Sequence, residues 1–125
     1  MAMVWEQGEL FPRANKGDIQ VTKMLLRKQP DMVKIVQALS ERTELTADEA
    51  ACLKKWGPVV QNVELAINSI IDREIREIMQ YRFILRHPRK AAVIKWSSFT
   101  GRSLDRKIDE GTEAVAGTLK LLGII

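Results

Sequence analysis

Apolar residues recur along this chain at intervals of three and four, the spacing that gathers them on one side of an α-helix, and nowhere alternate in the strand manner between turn residues. Asp18 stands as the cap of a helix running to Gln29, with Ile19, Met24, Leu25 and Leu26 as its apolar positions. Pro30 has no N–H to give to a helix interior and suits a first turn, so the pattern predicts a second helix there, carrying Met32, Ile35, Val36 and Leu39. "TADE" at 46–49 reads as a capping box, Thr46 capping and Glu49 reaching back. The helix it opens carries Ala50, Leu53 and Trp56 and is predicted to stop at Gly57-Pro58. From Val59 a stripe of Val60, Val63, Ile67, Ile70, Ile71, Ile75, Ile78 and Met79 continues, and Ser69 with Asp72 offers a fresh start within it. Pro88 ends this stretch. A short helix is predicted over 89–97, a break over 98–100, and a last helix over 101–122 with Leu104, Ile108, Val115, Leu119 and Leu122 in one stripe. The expected fold class is all-α.

Composition bounds this reading. A chain of 125 residues with 46% hydrophobic and 29% charged residues is expected to form one compact domain with a real core. The methionines Met24, Met32 and Met79 are expected to fill that core. No apolar run approaches the roughly 18 residues that would span a bilayer, so no membrane partner is expected. The start, "MAMVWEQGELFPR", has the form of neither a signal nor a transit peptide, and a cytoplasmic location follows as the expectation. A lone cysteine, Cys52, excludes an internal disulfide. Residues 1–17 lack periodicity and are expected to form a loose arm, in which Trp5 and Phe11 either fold back on the domain or dock on a partner.

Charge changes the picture more than composition does. Residues 1–80 are close to neutral, at −1, and residues 108–125 carry −2. Residues 81–107 hold eight Lys and Arg against Asp105 alone, for +7. Such a concentration is what phosphate binding requires. Enzyme chemistry finds little support, and no cofactor is expected. With one histidine (His87, expected at a helix end) and one cysteine, the chain cannot assemble a zinc centre or a Cys/His or Ser/His/Asp nucleophile. "GTEAVAGTLK" lacks the GK[ST] ending of a phosphate loop, and pairs such as Asp72/Glu74 are ordinary helix charges.

On a helix from residue 101, Leu104 and Ile108 face inward, while the pairs Arg102/Arg106 and Ser103/Lys107 lie one turn apart on the opposite side. Thr100 is placed as its cap. Basic and hydroxyl side chains in the first turns of a helix are what a recognition helix offers a major groove. Arg89 and Lys90 begin the preceding helix, which in a helix–turn–helix crosses the phosphate backbone, and Lys95 adds to the same positive stretch. Trp96 is expected to fill the space between the two helices, with Phe99 beside it. The candidate DNA-binding set is therefore Arg89, Lys90, Lys95, Thr100, Arg102, Ser103, Arg106 and Lys107.

"INSIIDREIREIMQYRFI" followed by "PRKAAVIKWSSFTGRSLDRKIDEGTEAVAGTLKLLGI" resembles the C-terminal part of the ArpU-type bacteriophage transcriptional regulators and, more distantly, region 4 of sigma factors. The shared pattern is an isoleucine-rich helix ending in Tyr81-Arg82-Phe83-Ile84, a short helix, and a capped helix carrying Thr100, Arg106, Lys107 and Glu110. The chain departs from it in two places: Ser97-Ser98 in the turn, and Gly111 where the family often has alanine. A mid-helix glycine costs about 1 kcal/mol against alanine, so the last helix is expected to bend, fray or meet a close neighbour there. The resemblance covers residues 66–124. It implies a phage or prophage regulator acting on double-stranded DNA in a bacterial cytoplasm, with a sigma-region-4-like helix–turn–helix in 69–125 and a helical supporting or oligomerising region in 18–68. A homodimer is compatible with it. Two other readings stay open on the charge alone: a helical adaptor binding RNA polymerase or another acidic protein, and a small terminase-like packaging subunit.

Overall fold

The computed structural model describes residues 13–125, in which every regular element is a helix. Trp5 and Phe11, and with them most of the expected arm, lie outside the described residues. The elements are α1 (Lys16–Ser40), α2 (Ala47–Asn68), α3 (Arg73–Met79) running into a π-helical turn (Gln80–Ile84), α4 (Arg89–Lys95) and α5 (Gly101–Leu121). No helix among the described residues is long and apolar enough to cross a membrane.

The caps explain most of the boundaries. Asn15, rather than Asp18, caps α1: its side chain accepts from the Asp18 N–H at 2.8 Å, and the Asp18 carboxylate accepts from the Asn15 N–H at 3.0 Å. Lys16 and Gly17 are thereby drawn into the helix and out of the arm. The Thr46/Glu49 box opens α2 as expected. Asp72 caps α3 by accepting from the Ile75 N–H at 3.0 Å, so the long apolar stripe is two helices. Gly123, at φ 76°, takes the left-handed position after α5, and the Ile124 N–H donates back to the Leu119 carbonyl at 2.9 Å.

Two prolines did not stop their helices. α1 runs through Pro30 and α2 through Gly57-Pro58, where the sequence predicted ends. An interior proline removes one backbone hydrogen bond and costs about 3 kcal/mol. Burial on both sides offsets that cost. Leu25, Leu26 and Gln29 are buried before Pro30, and Val60, Val63 and Ala66 after Pro58. The Gln29 amide, only 3% exposed, donates to the Val60 carbonyl at 3.0 Å and pins the two proline-bearing segments together.

The main core is built from α1, α2, α3, the π turn and the rear of α5, through residues such as Leu26, Ile67, Met79, Phe83, Val115 and Leu119. Both the supporting region and the C-terminal region contribute to it. Of the expected core methionines only Met79 is buried; Met24 is exposed and Met32 half-buried, because the α1 stripe facing the core is Thr22, Leu25, Leu26 and Gln29. Gly111 is where α5 meets α3. A Cβ there would stand 2.5 Å from Met79 Cγ and 3.0 Å from Ile75 Cγ2. Of the outcomes expected of this glycine, the close neighbour is the one that occurs, and α5 continues unbroken to Leu121.

Candidate nucleic-acid interface

A second, smaller cluster lies under the basic stretch. Ile78 of α3, Ala92 of α4 and Leu104 of α5 are buried together, with Tyr81, Val93, Trp96 and Ile108 packed around them. Ile108 touches both clusters and forms the seam between them. Trp96 ends α4 against this cluster and meets the Tyr81 ring edge-on, with centroids 5.2 Å apart, as expected of a space-filling residue. Phe99 does not join it and lies instead beneath the Lys107 ammonium at 5.5 Å.

The link from α3 to α4 is the part least legible in the sequence. Tyr81-Arg82-Phe83-Ile84 forms a π turn, closed by the Leu85 N–H donating to the Gln80 carbonyl at 2.8 Å and the His87 N–H donating to Tyr81 at 3.1 Å. The wider turn lets Phe83 enter the main core while Tyr81 faces the small one. Arg86 follows at φ 67°, a left-handed conformation that costs a non-glycine residue about 1–2 kcal/mol. His87 then stacks on Tyr81 with centroids 4.1 Å apart, a fixed place between helices. The Arg82 guanidinium donates to the His87 carbonyl at 2.9 Å, while its buried Nε has no partner among the described residues. Burial, with the Arg89 charge nearby, pulls its pKa below the usual arginine value.

The eight candidate residues divide sharply. Thr100 caps α5, accepting from the Ser103 N–H at 3.1 Å and donating to the Ser103 hydroxyl at 3.0 Å, so both hydroxyls serve the helix start. Arg89 grips Asp105 two-pronged, at 2.8 and 2.9 Å, and ties the first turn of α4 to α5. That hydrogen bonding raises the Arg89 pKa and lowers that of Asp105. Lys107 reaches Glu74 of α3 at 3.0 Å, and this contact raises its pKa. Lys95 lies over the rings of Tyr81 and Trp96, 5.5 Å from each. Lys90, Arg102 and Arg106 are exposed and form no ion pair among the described residues. Arg102 and Arg106 sit one turn apart on the side of α5 away from buried Leu104.

Sequence reasoning missed the holders, Asp105 and Glu74. Asp105 carried a signal, being the sole carboxylate in the +7 stretch; Glu74 carried none, since only the packing of α3 on α5 brings it to Lys107. Among the described residues no group of three potential metal ligands exists. No family model, no curated protein and no solved structure matches the chain.

Proposed function

We propose that this chain is a phage- or prophage-type transcriptional regulator that binds double-stranded DNA through a helix–turn–helix made of α4 and α5, without a cofactor. The observation that carries this reading is the Arg102/Arg106 pair, exposed, without an ion pair among the described residues and one turn apart just inside the capped start of α5. Like charges at this spacing destabilise a helix by about 0.2–0.5 kcal/mol, and a polyanion removes that penalty. In this role Arg102 and Arg106 face base edges, Lys90 and Lys95 face phosphates, and Arg89 and Lys107 hold α5 in place through their carboxylate partners. Thr100 and Ser103 act by setting the helix start.

Selection of bound duplexes from a random pool, followed by titration across salt concentrations, tests the reading. A sequence preference should emerge, and log affinity should fall linearly with log salt at about −0.9 per phosphate neutralised. Absence of duplex binding at low salt, with RNA polymerase still bound, would replace it by the adaptor reading.

A further inference from the structure

We propose that the outer face of α1 is a docking surface for an acidic amphipathic helix of a partner protein. Steps of three and four residues along α1 place Val21, Met24, Lys28, Met32 and Ile35 in one row over four turns. Val21, Met24 and Ile35 keep 41, 37 and 44% of their surface exposed although the neighbouring stripe of the same helix is buried. A second row of Lys16, Lys23, Arg27 and Lys34 runs about 120° further round the helix, with Gln20, Asp31 and Ala38 between the two. α1 carries five cations against Asp18 and Asp31. Asp18 is occupied by its cap and by Lys120 at 3.0 Å, and none of the five cations forms an ion pair among the described residues.

The charge selects the occupant. A second copy of α1 laid on this face would bring basic row against basic row, an arrangement that costs affinity. A bilayer surface favours helices that insert Trp, Phe or Leu, whereas this row is Val, Met and Ile around a central Lys28 and its apolar members are only partly exposed. An apolar strip with Lys28 at its middle and a basic row further round the same exposed side, with methionines that adapt their shape, matches a helix bearing an apolar stripe bordered by glutamate or aspartate. This surface is separate from the α4–α5 face, and its test does not depend on DNA binding.

The probe is a labelled peptide of about 20 residues with leucine at heptad a and d positions and glutamate around them. Its fluorescence anisotropy is followed with the full chain. Binding is expected, and it should weaken by about tenfold or more in the pair Met24→Ser/Ile35→Ser and in the pair Lys23→Glu/Arg27→Glu. All of these positions are exposed, so circular dichroism should show an unchanged helix content. Arg102→Ala/Arg106→Ala should leave peptide binding as it is. The proposal is overturned by no peptide binding, by losses confined to the Arg102/Arg106 variant, by a concentration-dependent doubling of mass that Ile35→Ser abolishes, or by binding to phosphatidylglycerol vesicles without binding to the peptide. Duplex titrations of the same α1 variants report on the DNA reading alone, so each proposal fails separately.

Discussion

The front of α5 (residues 101–110) and its rear (111–121) belong to one unbroken helix and are surrounded in opposite ways. In the front half only Leu104 is buried; in the rear Gly111, Thr112 and the run Val115–Leu119 are all buried. The rear runs through the main core against α1, α2 and α3, and its two buried threonines donate to the carbonyls of Ile108 and Ala114 on their own helix. The front stands on a cluster of three buried side chains and is steadied by ion pairs from Arg89 and Lys107. Exposed ion pairs contribute only about 0–1 kcal/mol each. A single helix thus lets a thick core hold in place a short segment whose outer side is left to solvent.

The largest effect expected is from the two leucines that anchor the halves. Leu119→Ala and Leu104→Ala should each cost about 2–5 kcal/mol in denaturant unfolding, since both side chains are fully buried. Hydrogen exchange should separate them: Leu119→Ala lowers protection throughout, whereas Leu104→Ala lowers it first in α4 and the front of α5. Identical exchange patterns would mean the halves do not differ in this way.

The exposed arginines should behave conversely. Arg102→Ala or Arg106→Ala should move stability by no more than about 0.5 kcal/mol. Each should cost about 1–3 kcal/mol on a selected duplex and relax base preference at one position, while Lys90→Ala weakens all duplexes equally and reduces the salt slope by about one. Equal losses on selected and scrambled duplexes would show a helix that holds DNA without reading it.

Gly111→Ala probes the junction of the halves. The alanine gains about 1 kcal/mol of helix propensity but intrudes on Met79 and Ile75, an overpacking of about 1–3 kcal/mol. Net destabilisation of about 1 kcal/mol is expected. In a Met79→Ala background the same substitution should be clearly less destabilising, because the nearest obstruction is gone and only Ile75 remains close; additive effects would refute the close contact.

The smallest effect is electrostatic. The hydrogen bonds from Arg89 depress the Asp105 pKa, so its contribution to stability is fully present above the unfolded-state value near 4 and is lost as pH falls through the lower folded-state value. Asp105→Asn should flatten the stability profile slightly below about pH 4 and leave neutral-pH thermal unfolding nearly unchanged, because the pair is half-exposed.

Local chemistry was legible in the sequence at most places where a side chain acts on backbone a few residues away, the cap of α1 being the exception, since it fell on Asn15 and not on Asp18. The Thr46/Glu49 box, the Asp72 cap, the Thr100 cap and the inward placement of Leu104 all follow from spacing. The passage of α1 through Pro30 and α2 through Pro58 did not follow, because the compensation comes from burial and from a Gln29–Val60 contact that joins separate helices. The exposed row on α1 was hidden as well: averaged over residues 1–80 the charge is near zero, and only the burial of the neighbouring stripe shows which positions face outward.

By itself, then, the sequence determined the all-helical fold of the described residues, the starts of four of its helices and the concentration of positive charge at 81–107, since periodicity, caps and composition are properties of neighbouring residues. Only the tertiary structure decided which of those charges remain available. Asp105 comes to Arg89 and Glu74 to Lys107 through helix packing, and partners so far apart along the chain have no spacing rule to announce them.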